Sequence, residues 1–193
     1  MRNMWLFSLI VVTLIQASCD SKQETINYTS ELEDSADSNI RAVVIKDDFI
    51  YRLVTEMEEY REDETVSIYA ELEYIGDNKE VIIYHASSPF YYSMFELTRE
   101  FGIPFAMDQP GLRTILVRGE PLREEYKRAG ITGLYEDEEE YENFIKKFIK
   151  DGFPDGHYRL SGSAKFHVES KKDGEVEKVD YKLKAEIEFK VVE

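Results

Sequence analysis

The sequence has little cysteine and little positive charge. Cys19 is the single cysteine among 193 residues, so no internal disulfide can form. The chain has 24 Lys and Arg against 40 Asp and Glu, a formal charge of −16. A chain of this charge lacks the basic face that nucleic acid requires, and we expect no nucleic-acid partner. Docking to anionic lipid headgroups is disfavoured too, so any membrane attachment must be covalent or hydrophobic.

The amino terminus lacks a hydrophobic run long enough to cross a membrane as a helix. Its apolar run, residues 4–15, has about 12 residues, whereas a hydrocarbon core of ~30 Å needs about 20. Arg2 precedes this run, and small residues followed by Cys19 come after it. This arrangement is typical of a signal peptide, which we predict for residues 1–18.

The residues Gln16-Ala17-Ser18-Cys19 resemble the lipobox of bacterial lipoprotein precursors, of the type found in Gram-positive bacteria, with Gln16 standing where Leu is usual. The resemblance implies cleavage before Cys19, diacylglycerol on its sulfur, and anchoring at the extracytoplasmic face of the cell membrane. Two acyl chains give a stable anchor where one is marginal. The alternatives are an ordinary secretory signal with an incidental cysteine, or an uncleaved anchor.

Residues 20–39 are polar and acidic with little periodicity, so we predict a flexible tether over residues 19–39 and a folded domain over 40–193. Within the domain, apolar residues mostly recur at every second position, which is typical of half-buried strands. We predict strands over residues 41–57, 64–74, 80–86, 90–98, 112–117, 156–168 and 179–192. The first is expected to bend or bulge at Asp47-Asp48, and Asp173-Gly174 to form a hairpin turn.

Residues 137–152 predict the one amphipathic helix. Aromatic and aliphatic residues recur there at helical spacing, acids fill its first turn and lysines its last. About seven strands with turn signals predict a mainly β fold, an immunoglobulin-like antiparallel β-sandwich with this helix inserted. Pro154, Gly156 and Tyr158 are the candidate structural corner, because a tyrosine at such a corner hydrogen-bonds back across it.

Three segments resemble the immunoglobulin-like domain of the intracellular proteinase inhibitor family of Gram-positive bacteria. They are residues 74–77 (YIGD), 116–120 (LVRGE) and 154–158 (PDGHY), and the resemblance covers about residues 65–170. It implies a sandwich fold and a loop that enters a protease active site. The signal peptide and the inserted helix depart from the family pattern.

No residue set in the sequence predicts catalysis, a metal site or a cofactor. His157 and His167 lie about 33 Å apart if they share one strand, too far to bind one metal ion. Residues 161–163 (SGS) lie mid-strand, without the turn of a serine nucleophile, and predict a place where layers pack closely. The acidic runs 56–64 and 136–140 lack calcium-loop spacing and are interpreted as a solvated loop and a helix start.

Aromatic residues give the best indication of binding. One strand and the loop after it carry bulky apolar groups, which form an exposed partner site unless the helix covers them. The candidate binding residues are Phe90, Tyr91, Tyr92, Met94, Phe95, Phe101, Phe105 and Met107.

Three functions are therefore compared. The first is a non-catalytic, lipid-anchored binding or structural module, with a protein or cell-wall partner. The second is a proteinase-inhibitor-like domain that acts through a protruding loop at residues 101–111. The third is a hydrolase that uses two carboxylates, which requires two acids to converge in a pocket.

Overall fold

In the computed structural model, which describes residues 24–28, 40–128, 139–172 and 175–193, the chain folds into two packed β-sheets and one short helix. The predicted β-sandwich with one helix is therefore confirmed. The elements are β1 (Glu24–Tyr28), β2 (Ile40–Lys46), β3 (Phe49–Thr55), β4 (Glu59–Arg61), β5 (Ile68–Tyr74), β6 (Glu80–His85), β7 (Phe90–Glu96), β8 (Phe101–Ile103), β9 (Leu112–Val117), β10 (Leu122–Glu125), α1 (Glu139–Lys150), β11 (Gly156–Lys172) and β12 (Glu175–Val192).

The first sheet has the order β1-β2-β3-β5-β10, and all of its neighbouring strands are antiparallel. Burial alternates along β5, where every second residue from Ile68 to Tyr74 is buried. This period of two places one face of the sheet in the core and leaves the other toward solvent.

The second sheet is organised around β11. This strand pairs with β12 along its whole length, from Gly156–Val191 to Lys172–Glu175. On its other side it pairs with β7 along its first half and with β6 near its far end. Beyond these two strands lie β8 and β9 respectively, and β4 pairs with the end of β12 in the parallel direction. The predicted turn residues Asp173 and Gly174 lie outside the described residues.

Asp47 and Asp48 form a tight turn between two strands, so the prediction of one bent strand over residues 41–57 was wrong. Lys46 pairs with Phe49, which leaves the two aspartates as a two-residue hairpin loop. Asp47 has a φ of 50°, a left-handed conformation that Asp tolerates better than most residues. The two acids therefore lie at the surface, where a central strand would have buried one of them.

Part of the predicted tether belongs to the first sheet. Residues 24–28 form β1 and pair antiparallel with β2, because the short apolar alternation of ETINY adds an edge strand. The prediction of a flexible tether is thus corrected for these five residues, while Cys19, the signal peptide and residues 29–39 lie outside the described part of the chain.

The acidic run at residues 56–64 is not a plain solvated loop. Its centre forms β4, where Tyr60 is only 1% exposed. The Tyr60 hydroxyl lies 2.8 Å from Thr55 Oγ1 and donates to the carbonyl of Ser67 at 3.0 Å. One buried tyrosine with a satisfied hydroxyl therefore fixes a segment whose charges predicted exposure.

Helix α1 closes one end of the sandwich. Tyr141, Phe144 and Phe148 are buried, and Glu139 begins the helix with an acidic first turn. The rings of Tyr141 and Phe144 lie 5.3 Å from that of Phe101. The predicted helix, its charge distribution and its apolar face are confirmed, although residues 137 and 138 lie outside the described residues.

The two sheets approach each other closely at Gly162. A Cβ atom there would lie against the Tyr51 hydroxyl and 2.9 Å from a methyl group of Leu53. The prediction of close packing at residues 161–163 is confirmed. The Tyr51 hydroxyl above this glycine is buried and has no hydrogen-bond partner within the described ranges.

Candidate binding pocket

Half of the predicted binding residues belong to the core. Phe90, Tyr92 and Met94 on β7 are 1%, 9% and 4% exposed, and Phe101 on β8 is 8% exposed. The three β7 residues share the inner face of that strand, since side chains alternate with period two, whereas Phe101 lies against the rings of α1. The prediction of an exposed patch was wrong for these four residues.

The remaining predicted residues reach the surface. Phe95 is 39% exposed on the outer face of β7, and Tyr91 on the same face lies 4.0 Å beneath the ammonium of Lys165. Phe105 and Met107 are half-buried in the segment that follows β8. The predicted cover by the helix holds for Phe101, whereas Phe90 stacks on Tyr51 of the first sheet and Tyr92 packs against Phe105 and Tyr126.

An open pocket of about 530 Å³ lies between β7 and β10, under residues 104–111. We call it the β7–β10 pocket. Its lining combines an apolar floor with a charged rim and two serines, namely Phe90, Tyr92, Phe105, Ala106, Met107, Arg123, Glu124, Glu125, Lys127, Ser87 and Ser88. A concave apolar site with a few polar groups is the usual form of a small-molecule or side-chain pocket.

The Tyr92 hydroxyl is the unusual group in this pocket. It is buried and has no hydrogen-bond partner among the residues that the structure describes. Burial first, and then the charges of Glu124 and Glu125, raise the pKa of Tyr92 well above its usual value, so the phenol stays neutral and can donate or accept. An unpaired buried hydroxyl costs about 1–3 kcal/mol, and a ligand that reached it by displacing the groups that cover it would recover part of that cost.

Aromatic rings hold Tyr92 in place. Phe105 and Tyr126 pack edge-on against it, with ring centroids 5.6 and 5.2 Å away. Burial raises the pKa of Tyr126 to about 12. The phenols in the floor of the pocket are therefore uncharged at physiological pH. The contacts between the rings make the floor rigid.

The rim of the pocket is close to electrically neutral. Arg123 lies 3.3 Å over the ring of Tyr69 and pairs with Glu125 at 2.9 Å. Glu124 and Lys127 add one charge of each sign. Such a rim does not favour a ligand with a large net charge. Sequence reasoning missed these residues because LREEYK, an edge segment rich in charge, carries little period-two signal.

The loop at residues 104–111 is held at the mouth of the pocket by hydrogen bonds. Ser87 donates to the carbonyl of Asp108 through its backbone N–H at 3.3 Å and its hydroxyl at 2.9 Å. The backbone N–H of Ser88 points at the Met107 sulfur at 3.3 Å, and Gln109 Nε2 donates to the Met107 carbonyl at 3.1 Å. The loop is thus fixed as an extended, partly exposed segment.

The predicted corner lies between α1 and the start of β11. The buried Tyr158 hydroxyl donates to the carbonyl of Pro154 at 2.7 Å, across the turn that Gly156 completes. The Tyr158 ring stacks on Phe189 at 5.3 Å and meets Phe153 edge-on at 5.2 Å. The fold therefore brings together the three predicted corner residues, Pro154, Gly156 and Tyr158.

The histidines are engaged in local contacts. His85 bonds Thr114 Oγ1 and the Ala86 carbonyl, both at 2.8 Å. His157 lies 3.0 Å from Glu188, and His167 stacks on Tyr84. No group of three His, Cys, Asp or Glu side chains suited to a metal ion occurs in the described ranges. Likewise, no described helix is long and apolar enough to cross a membrane.

Comparisons with known proteins find little. No protein-family model and no curated protein matches the sequence. One solved structure, described as the crystal structure of a protein from Archaeoglobus fulgidus, is similar with a TM-score of 0.28 and 10% identity, over 82% of this chain and 100% of that chain.

Proposed function

We propose that this chain is a non-catalytic binding module, lipid-anchored through Cys19 at the extracytoplasmic face of a bacterial cell membrane. Its β7–β10 pocket takes an apolar group that carries one hydrogen-bonding atom, presented by a protein or cell-wall partner. The observation that carries the proposal is the unpaired Tyr92 hydroxyl at an aromatic floor. The lipobox resemblance supports the anchor, and the Tyr158 corner bond supports the immunoglobulin-like assignment.

The anchor is tested by replacing its sulfur. In cells given labelled palmitate, the native chain is expected to carry label and to sediment with membranes, and Cys19→Ser to lose both, because a serine hydroxyl does not replace the acylated thiol. Label and membrane recovery are measured in fractionated cells. Release of both forms into the soluble fraction would favour an ordinary secretory signal.

The pocket is tested with p-cresol and toluene, which differ by one hydroxyl. We expect the native chain to bind p-cresol about 3- to 10-fold more tightly than toluene, since one hydrogen bond contributes roughly 0.5–1.5 kcal/mol. Tyr92→Phe should remove that difference. Affinities are measured by NMR titration of resonances from the pocket.

Tyr51→Phe is the matched control for Tyr92→Phe. Both variants remove a buried, unpaired hydroxyl, so both should increase the free energy of unfolding of the free protein by about 1 kcal/mol. Tyr51→Phe should leave the preference for p-cresol intact. Equal affinities for the two probes in the native chain, or loss of the preference in both variants, would contradict the assignment of Tyr92.

A second candidate function, protease inhibition, is supported by the loop at residues 104–111. Inhibitory loops are held rigid before they bind, which limits the ordering entropy lost on association. Hydrogen bonds from Ser87 and Ser88 hold this loop in an extended conformation. Saturable inhibition of a protease by the purified chain, lost on substitution of Met107 by Asp, would select this function.

A further inference from the structure

The β11–β12 hairpin extends beyond the other strands of the second sheet. Strand β6 pairs with β11 at His167 and Val168. Past Val168, β11 and β12 stay paired with each other as far as Lys172 and Glu175, and no other described strand joins them there. We call residues 169–172 and 175–178 the hairpin arm.

The hairpin arm projects from the end of the sandwich that carries the turn between β2 and β3. Phe49, the first residue after that turn, has its ring 4.8 Å from the ring of Phe166. Gly162, earlier in β11, packs against Leu53, later in β3. Rising residue number in β11 therefore leads toward the turn, and the segment from Phe166 to Lys172 continues roughly 20 Å past the level of Phe49.

Helix α1 and the tyrosine corner lie at the opposite end. Phe148 of α1 packs edge-on against Phe153, and the Phe153 ring meets that of Tyr158 at 5.2 Å. Tyr158 is near the start of β11, eight residues before Phe166, a distance of about 26 Å along a strand. The sandwich is therefore elongated along β11, with α1 at one end and the hairpin arm at the other.

The chain enters the first sheet at the end that carries the arm. Glu24, the first residue of β1, pairs with Ile45 beside the β2–β3 turn, and β1 then runs away from that turn because it is antiparallel to β2. Cys19 precedes Glu24 by 24 − 19 = 5 residues. Five residues span at most about 18 Å when fully extended. A lipid on Cys19 therefore holds this end of the sandwich within that distance of the bilayer surface.

The hairpin arm is about as long as this tether. Both begin near the level of Phe49, so the arm reaches the bilayer surface when the sandwich stands end-on above its anchor. Val176 in the arm and Val179 at its base are 59% and 42% exposed, and apolar side chains of this kind gain from contact with the membrane interface. Residues 169–180 have five acids and three lysines, so this contact is apolar rather than electrostatic.

We propose that the hairpin arm rests on the bilayer surface and, together with the lipid on Cys19, holds the sandwich end-on, with α1 and the Tyr158 corner directed away from the membrane. This inference rests on the lipid anchor of the proposed function. The anchor keeps the arm at a high local concentration beside the bilayer, so a contact too weak to bind the free chain is sufficient once the chain is anchored.

Fluorescence quenching on vesicles tests the orientation. The full lipidated chain, whose native thiol is blocked by acylation, is reconstituted in phosphatidylcholine vesicles that contain a lipid with a spin-labelled headgroup. Val176→Cys carries a water-soluble fluorophore on the arm, and Ile149→Cys carries the same fluorophore on α1, where Ile149 is 48% exposed. Quenching at position 176 should be about threefold stronger than at position 149, since the anchor holds the arm at the surface. Equal quenching at the two positions, strong or weak, would overturn the end-on arrangement.

Release of β1 tests the tether. Thr25→Pro combined with Ile26→Pro removes the N–H groups of two neighbouring residues, one of which faces β2, and so lengthens the chain between Cys19 and the sandwich. Quenching at position 176 should then fall to the value at position 149, and quenching that persists would overturn the short tether. A chain recovered with the vesicles but without selective quenching at position 176 would overturn this inference and leave the anchor intact. A chain absent from the vesicles would overturn both.

Discussion

Above pH 10 the protein is expected to lose stability steeply and unfold within about one to three pH units. Burial raises the pKa of Tyr51, Tyr92 and Tyr158 well above the usual value, and that of Tyr126 to about 12. In the unfolded chain these phenols ionise near pH 10. Because the pKa values of these phenols are higher in the folded state, their contribution to the free energy of unfolding is fully present below pH 10. It is lost as the pH rises toward the folded-state values.

The size of this effect follows from proton linkage. Each phenol that stays protonated only in the folded state lowers the free energy of unfolding by about 1.4 kcal/mol per pH unit, so four together give about 5 kcal/mol per unit. A domain whose free energy of unfolding is roughly 5–15 kcal/mol is therefore expected to unfold within about one to three pH units. Circular dichroism and tyrosinate absorbance should therefore change together. Tyr51→Phe should reduce the slope by about a quarter, and full tyrosine ionisation near pH 10 without loss of structure would contradict the prediction.

Replacing Glu96 by alanine should destabilise the fold by about 3–5 kcal/mol. Its carboxylate is fully buried at the end of β7 and accepts backbone N–H bonds from Thr98 at 2.8 Å, Arg99 at 2.7 Å and His157 at 3.2 Å. The Arg99 guanidinium lies 3.5 Å from it. Removal of the carboxylate leaves the backbone N–H groups of Thr98 and Arg99 without their acceptor. It also takes one of two carboxylates from the Arg99 guanidinium, which keeps Asp155, and the loss of one partner from a buried charge pair is costly.

Urea denaturation of the native chain and three variants measures this loss. Glu96→Gln keeps one acceptor oxygen and should lose less stability than Glu96→Ala. Glu120→Ala, which removes an exposed carboxylate, should stay within about 0.5 kcal/mol of the native value. A Glu96→Ala variant as stable as Glu120→Ala would show that the carboxylate does not hold the corner at Gly156, against which it packs.

Much of this fold could be predicted because its central strands follow simple periods. The alternation in residues 156–168 and 179–192 indicated β11 and β12, and the spacing from Tyr141 to Phe148 indicated α1. The same pattern could not show whether Asp47 and Asp48 form a bulge or a turn, because a bulge and a two-residue turn interrupt the alternation equally little. Strands β4, β8 and β10 have three or four residues each, too few for a period to appear.

The pocket was only half predictable from the sequence. Phe105 and Met107 were recognised because apolar residues in a loop are unusual. Glu124 and Lys127 gave no signal, since charge in an edge strand is ordinary. The alternation along β7 does not say which of its faces meets the core, so the burial of Tyr92 could not be predicted. The lack of a hydrogen-bond partner for its hydroxyl depends on tertiary packing, which local sequence does not show.

The pairing of β11 with β7 sets the order in which the chain can fold. Tyr158 pairs with Glu96 and Ala164 with Phe90, contacts that close loops of 158 − 96 = 62 and 164 − 90 = 74 residues. Strands β6 and β7 thus leave the ribosome long before the strand that completes their sheet. Such non-local pairing makes folding slow. Before β11 is made, β6 can pair with β9 and β7 with β8. The long β11–β12 hairpin, whose two strands are adjacent in sequence, then joins these two pairs into one sheet.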